Sequence, residues 1–153
     1  MIHQPPFTIK SPLHDVTIIA WHKVSLRNFH VAIPNQHFKN GEQITITVHP
    51  DGCLLLYPIT TWTPIENMLK KLATNKLERA SKSEPSALER LLNSVSNETI
   101  HDQRVGIPEM FLNYAALDDE VIWAETATHV QLWQPARFAE KIAQSNNHDV
   151  ENA

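Results

Sequence analysis

Glycine is scarce in this chain, with three residues in 153. A loop that cradles phosphate through glycine-rich backbone has no local motif from which to be built. Cysteine is scarcer still. Cys53 stands alone, which excludes an intramolecular disulfide and fits a reducing cytoplasm. Set in an apolar run, it reads as a small buried hydrophobe. Long apolar runs are missing too: Val16–Trp21 is far too short to span a bilayer. Met1–Pro6 is polar and proline-rich, so no secretory signal is expected. Neither a Gly-x-Ser-x-Gly elbow nor a His-Glu-x-x-His pair occurs, so no enzyme is expected. Nothing points to a cofactor. His22, His30 and His37 stand at suggestive intervals, but they cross a predicted turn and Pro34, and no acid or thiol completes a site. No metal is expected. With 42% hydrophobic and 20% charged residues, the chain suits one soluble domain or two small halves sharing a core.

What the sequence does have is a repeat. His30-Val31-Ala32-Ile33-Pro34 is echoed by Arg104-Val105-Gly106-Ile107-Pro108. At nearly equal spacing beyond each proline comes a strand-like run ending in an aromatic, Cys53–Tyr57 and His129–Trp133. Trp62 and Phe138 then stand five positions beyond Tyr57 and Trp133. A β-α-β-β-α unit used twice predicts an α+β fold with a pseudo-twofold, because one copy alone cannot bury both faces of its sheet.

Residues 1–13 hold three prolines and no apolar period, and are expected to form a flexible arm. The first unit covers 14–80. There Asp15–His22 reads as a strand, Lys23–Asn28 as a turn, Phe29–Ile33 as a returning strand and Asn35–Phe38 as a helical turn. Ile44–Val48 alternates strictly, which marks a strand with one buried face. Asp51-Gly52 signals a hairpin turn into Cys53–Tyr57. Thr63-Pro64-Ile65-Glu66 carries the marks of a helix start, and Ile65, Met68, Leu69 and Leu72 share one helical face. A helical connector, 81–97, contains a helix over Ser86–Val95 bearing Leu88, Leu91 and Leu92. The second unit, 98–143, holds a strand around Thr99–Ile107, a helix over Glu109–Ala115 and a turn at Asp118-Asp119. Strands Val121–Ala124 and His129–Trp133 and a helix over Ala136–Ala143 complete it. The polar tail, 144–153, is expected to be disordered. The shared core is expected from Ile33, Ile46, Leu54, Leu56, Ile107, Val121, Val130 and Leu132.

A net charge of −4 taken alone argues against nucleic acid, but the distribution is uneven. Residues 1–83 hold nine Lys/Arg and five Asp/Glu; residues 84–153 hold four and twelve. Such asymmetry permits a local basic surface. For Lys70–Arg90, a solvated helix face with Glu66, Glu78 and Glu89 as partners is an equal reading. More specific are the polar turns before each Val-x-Ile-Pro. The first holds Lys23, Arg27, Asn28 and His30; the second holds His101, Gln103 and Arg104. Cationic and amide side chains on a loop held by two strands reach phosphates and base edges, although solvated turns have the same composition.

Cys53-Leu54-Leu55-Leu56-Tyr57-Pro58, Trp62 and the helix to Leu72 resemble the central signature of MraZ, a family of bacterial regulators of the division and cell-wall cluster. Glu89-Arg90-Leu91-Leu92 is similar to that family's connector helix. Arg104-Val105-x-Ile107, Leu112-Asn113-Tyr114-Ala115 and Val130-Gln131-Leu132-Trp133 resemble its second half, so the likeness covers roughly residues 14 to 143. It implies two AbrB-like swapped-hairpin units, a ring-shaped homo-oligomer and binding to repeated boxes in double-stranded promoter DNA. It also implies a cytoplasmic, nucleoid-associated protein. The family's Asp-x-x-Gly-Arg loop faces DNA. Here Leu26, Phe29 and His30 replace its aspartate, glycine and arginine in the first copy, and the second copy keeps only Arg104. Carried over by place, the DNA contacts are Lys23, Arg27, Asn28, His30 and Arg104. Loss of the glycine is expected to alter the turn, since Phe29 and Gln103 tolerate positive φ poorly. Two rival readings remain: an oligomeric MraZ-like scaffold that has lost DNA contact, or an AbrB-type partner-binding module.

Overall fold

A computed structural model describes residues 5–10, 15–79 and 94–151. In chain order the strands are β1 (Phe7–Ile9), β2 (Val16–Ile18), β3 (Ala20–Arg27), β4 (His30–Ala32), β5 (Gln43–Val48) and β6 (Leu54–Pro58). After helix α1 (Ile59–Arg79) come β7 (Val95–Thr99), β8 (Arg104–Gly106), helix α2 (Glu109–Ala115), β9 (Glu120–Glu125), β10 (Val130–Trp133) and helix α3 (Pro135–Glu151). The fold is therefore mixed α+β with a predominantly antiparallel sheet. β1 and β2 form a hairpin of their own. The other eight strands run β7-β5-β6-β10-β9-β3-β4-β8, every neighbouring pair antiparallel. The outermost strands, β7 and β8, are consecutive in the chain, and a tight turn joins them through the His101–Arg104 bridge. The two ends of the sheet thus meet.

One side of the sheet carries the main core. All eight residues expected there, from Ile33 to Leu132, lie in a single buried cluster with Val31, Val105, Phe111 and Trp123. The other side is buried as well. Ile122, Ala124, Leu55, Cys53 and Trp133 pack there with Phe138 and Ile142 of α3 and with Ile9, Val16 and Ile18 of the β1–β2 hairpin. Burial pushes the Cys53 thiol far up, which leaves it inert as a nucleophile. β5 departs from strict alternation. β5 was expected to bury one face, yet Thr45 and Thr47 are buried too. Their hydroxyls donate to Asn97 Oδ1 (2.8 Å) and Ser94 O (2.9 Å), so the polar atoms enter the interior already satisfied.

Several boundaries differ from the sequence expectation. The expected arm contains β1, whose Ile9 is buried. α3 runs on through the tail to Glu151, and its buried Ser145 accepts the Lys10 N–H at 2.9 Å. Helix α1 begins at Ile59, not Thr63, so Pro64 falls inside it. The expected cap residues do other work: Thr63 Oγ1 donates to Ile59 O and Glu66 accepts the Trp62 indole N–H, both at 2.9 Å. That indole bond, with Lys70 beside it, holds the Glu66 carboxyl below its usual range. Met68 and Leu72 are exposed, so their stripe does not join the core. Val95 opens a strand instead of closing a helix and Ser94 before it is a bend; residues 86–93 of the expected connector helix lie outside the described residues.

Candidate nucleic-acid interface

The polar run Lys23–Asn28 is not a turn. β3 continues straight through it to Arg27, and only Asn28 and Phe29 turn the chain back. Alternation along β3 buries Leu26 and leaves Lys23, Ser25 and Arg27 on the outer face. Arg27 pairs with His30 across the turn, and both central residues have positive φ, 50° at Asn28 and 65° at Phe29. This is the two-residue geometry whose twist suits a hairpin. The second copy matches it. His101 and Arg104 bond backbone to backbone at 3.1 and 2.9 Å, with φ of 52° at Asp102 and 55° at Gln103. Phe29 and Gln103 thus both hold positive φ, the conformation they were expected to tolerate poorly. The ladders on either side impose the conformation, at a cost on the order of 1–2 kcal/mol per residue held there.

The two tips are tied to each other. β4 and β8 pair about a centre at Val31–Val105, with His30 opposite Gly106 and Ala32 opposite Arg104. Beyond the ladder, Ile33 N–H donates to Gln103 O at 2.9 Å and Ile107 N–H donates to Phe29 O at 2.7 Å. Each Val-x-Ile-Pro segment thus fastens the other copy's tip. With about 3.4 Å of rise per residue, Phe29 and Gln103, four steps apart along the ribbon, stand roughly 14 Å from each other.

Each tip sets one guanidinium and one imidazole across its turn, in opposite order: Arg27 then His30, and His101 then Arg104. All four residues are exposed. Among the described residues, neither arginine side chain has a hydrogen bond or ion pair. His30 Nδ1 lies 2.6 Å from Asn28 O, so it carries the proton and donates to that carbonyl. The ring lies over Gly106, where a Cβ would sit 3.4 Å from Nε2 and 3.8 Å from Glu98 Oε1. This close approach is one use of the chain's few glycines. Of the five expected contacts, Arg27, Asn28, His30 and Arg104 gather on this ribbon. Lys23 lies further back on β3, its Nζ 3.9 Å from Glu120 Oε1, with both side chains more than half exposed. Acidic groups also border the face, at Asp102 on the second tip and Glu98 beside His30.

Sequence reading missed Asn40. Its Oδ1 accepts Gln103 N–H at 2.7 Å and Gln103 Nε2–H at 3.1 Å, and Gln103 Nε2 also donates to Phe38 O at 3.1 Å. Asn40-Gly41 reads as a turn signal, but nothing local shows that it braces a residue so distant in the chain. The histidines also separate. His22 Nε2 and His37 Nδ1 lie 3.8 and 3.4 Å from Glu125 Oε2, which accepts the Trp123 indole N–H at 3.0 Å, while His30 remains at the tip. Glu125 is the acid that the sequence did not place near them. Among the described residues, no three His, Cys, Asp or Glu are grouped to hold a metal ion. No described helix is long and apolar enough to cross a membrane.

No protein-family model matches the chain. Individual relatives do. It is 33% identical over 112 residues to the transcriptional regulator MraZ of Azoarcus sp. (strain BH72), covering 69% of this chain and 72% of that protein. It is 32% identical over 105 residues to MraZ of Thiobacillus denitrificans, 67% of each chain. With MraZ of Clostridium acetobutylicum it shares 30% over 123 residues, 78% of this chain and 81% of the relative. A mixed α+β sheet with two matched, cation-bearing tips thus sits among proteins named as transcriptional regulators. The chain belongs to the MraZ family.

Proposed function

We propose that this protein is a DNA-binding transcriptional regulator that grips repeated promoter boxes with its two tips, as a ring-shaped homo-oligomer associated with the nucleoid in the cytoplasm. The observation that carries this reading is the pair of interlocked tips, each offering an unpaired guanidinium at its base. Arginine held on a rigid ribbon bonds two acceptors of a guanine or clamps a phosphate. Of the two places equivalent in the copies, Arg104 carries fixed charge and His30 does not, so Arg104 contributes more. Lys23 and Arg27 serve as phosphate contacts, and Asn28 lies at the tip between them and the bases.

The same reading takes residues 14–80 and 98–143 as two AbrB-like swapped-hairpin units related by a pseudo-twofold. Strand order supports it: exchanging β3–β6 with β7–β10 carries every neighbouring pair onto another except β3–β4, which falls on β7 and β8, the sheet ends joined through the His101–Arg104 bridge. Register supports it too, since β6 and β10 pair about Leu55–Gln131 as β4 and β8 pair about Val31–Val105.

A salt-titrated binding assay on the region upstream of the protein's own gene tests the function. Arg104→Ala should lose on the order of 1–3 kcal/mol of specific binding. Lys23→Ala and Arg27→Ala should weaken all duplexes alike and flatten the salt dependence. Light scattering should report an assembly larger than a monomer at micromolar concentration. The Lys23–Glu120 pair, Asp102 and Glu98 favour a second reading, a scaffold without DNA contact. That reading takes over if the wild type binds no duplex at low salt.

A further inference from the structure

The two tips differ most at their second central residue. Gln103 folds back and donates its Nε2 hydrogens to Asn40 Oδ1 and Phe38 O, while its Oε1 is buried with no partner among the described residues. Phe29, at the same place in the first tip, remains 55% exposed at φ 65°. Among the described residues its ring packs against no other ring. A bulky L side chain enters this backbone region only under constraint, and glycine or asparagine would form the turn with less strain. Burial gives the phenyl ring no compensating gain. The backbone beneath it is nevertheless fixed on both sides: Phe29 O accepts Ile107 N–H, and Asn28 O accepts His30 Nδ1–H. The result is an exposed apolar ring carried at the turn on a backbone held from both sides, with Arg27 and His30 flanking the turn. Phosphate contacts position a ribbon, while the side chains that reach base edges specify the sequence.

We propose that Phe29 is a specificity-determining residue that packs its ring against thymine methyl groups in the major groove. That groove admits a two-stranded ribbon, and the methyl is its apolar landmark. The inference rests on the DNA-binding reading above.

The test uses the full chain and the duplex upstream of its own gene, in native form and with every thymine replaced by deoxyuridine. Wild type should bind the deoxyuridine duplex roughly fivefold more weakly, the loss of a few buried methyl contacts. Phe29→Asn suits the left-handed turn and should melt no lower than wild type. It should bind the native duplex more weakly by a similar factor and be indifferent to the thymine methyl. Phe29→Tyr should keep the methyl sensitivity. Wild type binding both duplexes equally, or Phe29→Asn remaining methyl-sensitive, overturns the inference while leaving DNA binding intact. Absence of binding to either duplex at low salt removes the DNA reading and this inference with it.

Discussion

The two tips share one backbone and one main-chain tether but none of their side-chain support. Both turn in two residues with positive φ, both close on a guanidinium and an imidazole, and each accepts a hydrogen bond from the other copy's Val-x-Ile-Pro segment. Yet the second tip is lashed to Asn40 and Phe38, whereas the first holds itself through His30 and leaves Phe29 in solvent. The shape of each turn therefore comes from the strands that feed it, not from the residues that occupy it. What those residues decide is which chemistry each tip presents.

If the ribbon beneath the tips is equivalent from both sides, its two central valines should be equally intolerant. Val31→Asp and Val105→Asp each bury an unpaired carboxylate at a fully enclosed position. Each should destabilise by about 3–5 kcal/mol in urea unfolding. A large inequality between them would break the equivalence. The brace is a smaller effect. Asn40→Ala should cost about 1 kcal/mol and speed amide exchange at Gln103 while leaving Phe29 unaffected, because solvent replaces only part of the lost bonding. Smallest is the strain itself. Phe29→Gly should raise stability by roughly 0.5–1 kcal/mol, the relief of the left-handed conformation less the entropy of glycine. Gln103→Gly gains the same relief and keeps the backbone bond to Asn40 but loses the side-chain bonds to Phe38 and Asn40, so it should be neutral or worse. Equal gains at both sites would mean that the bracing counts for nothing.

Core positions were legible because strand alternation depends only on which face a residue occupies. Ile46, Leu54, Val121 and Leu132 declare their side whatever covers the other one. The burial of the polar face of β5 was not legible. Thr45 and Thr47 look solvent-facing, and only β7 and Ser94, distant in sequence, supply the acceptors that let them be buried. The tips were misplaced for a related reason. Lys23, Ser25 and Arg27 are the outer face of a strand, and a polar outer face without glycine or proline beside it reads as a loop. At Thr63 a sound local signal lost to context, since β6 passes directly into α1 at Ile59 and leaves the cap motif inside the helix. At the candidate site the cations were visible as residue types. Their mutual fastening was not, because hydrogen bonds such as Ile33 N–H to Gln103 O join segments that local pattern cannot relate.

The interleaved strand order also has a consequence during synthesis. While only the first unit has emerged from a ribosome, β4 lacks its neighbour β8, β5 lacks β7, and β3 lacks β9. Hydrophobic edges must wait, unpaired, for the remainder of the chain. Pairings so distant in sequence form slowly, since loop closure precedes any reward from contact. The nascent chain is therefore at its most aggregation-prone just before completion, and a chain stopped before β7 should be a substrate for chaperones rather than a small folded domain.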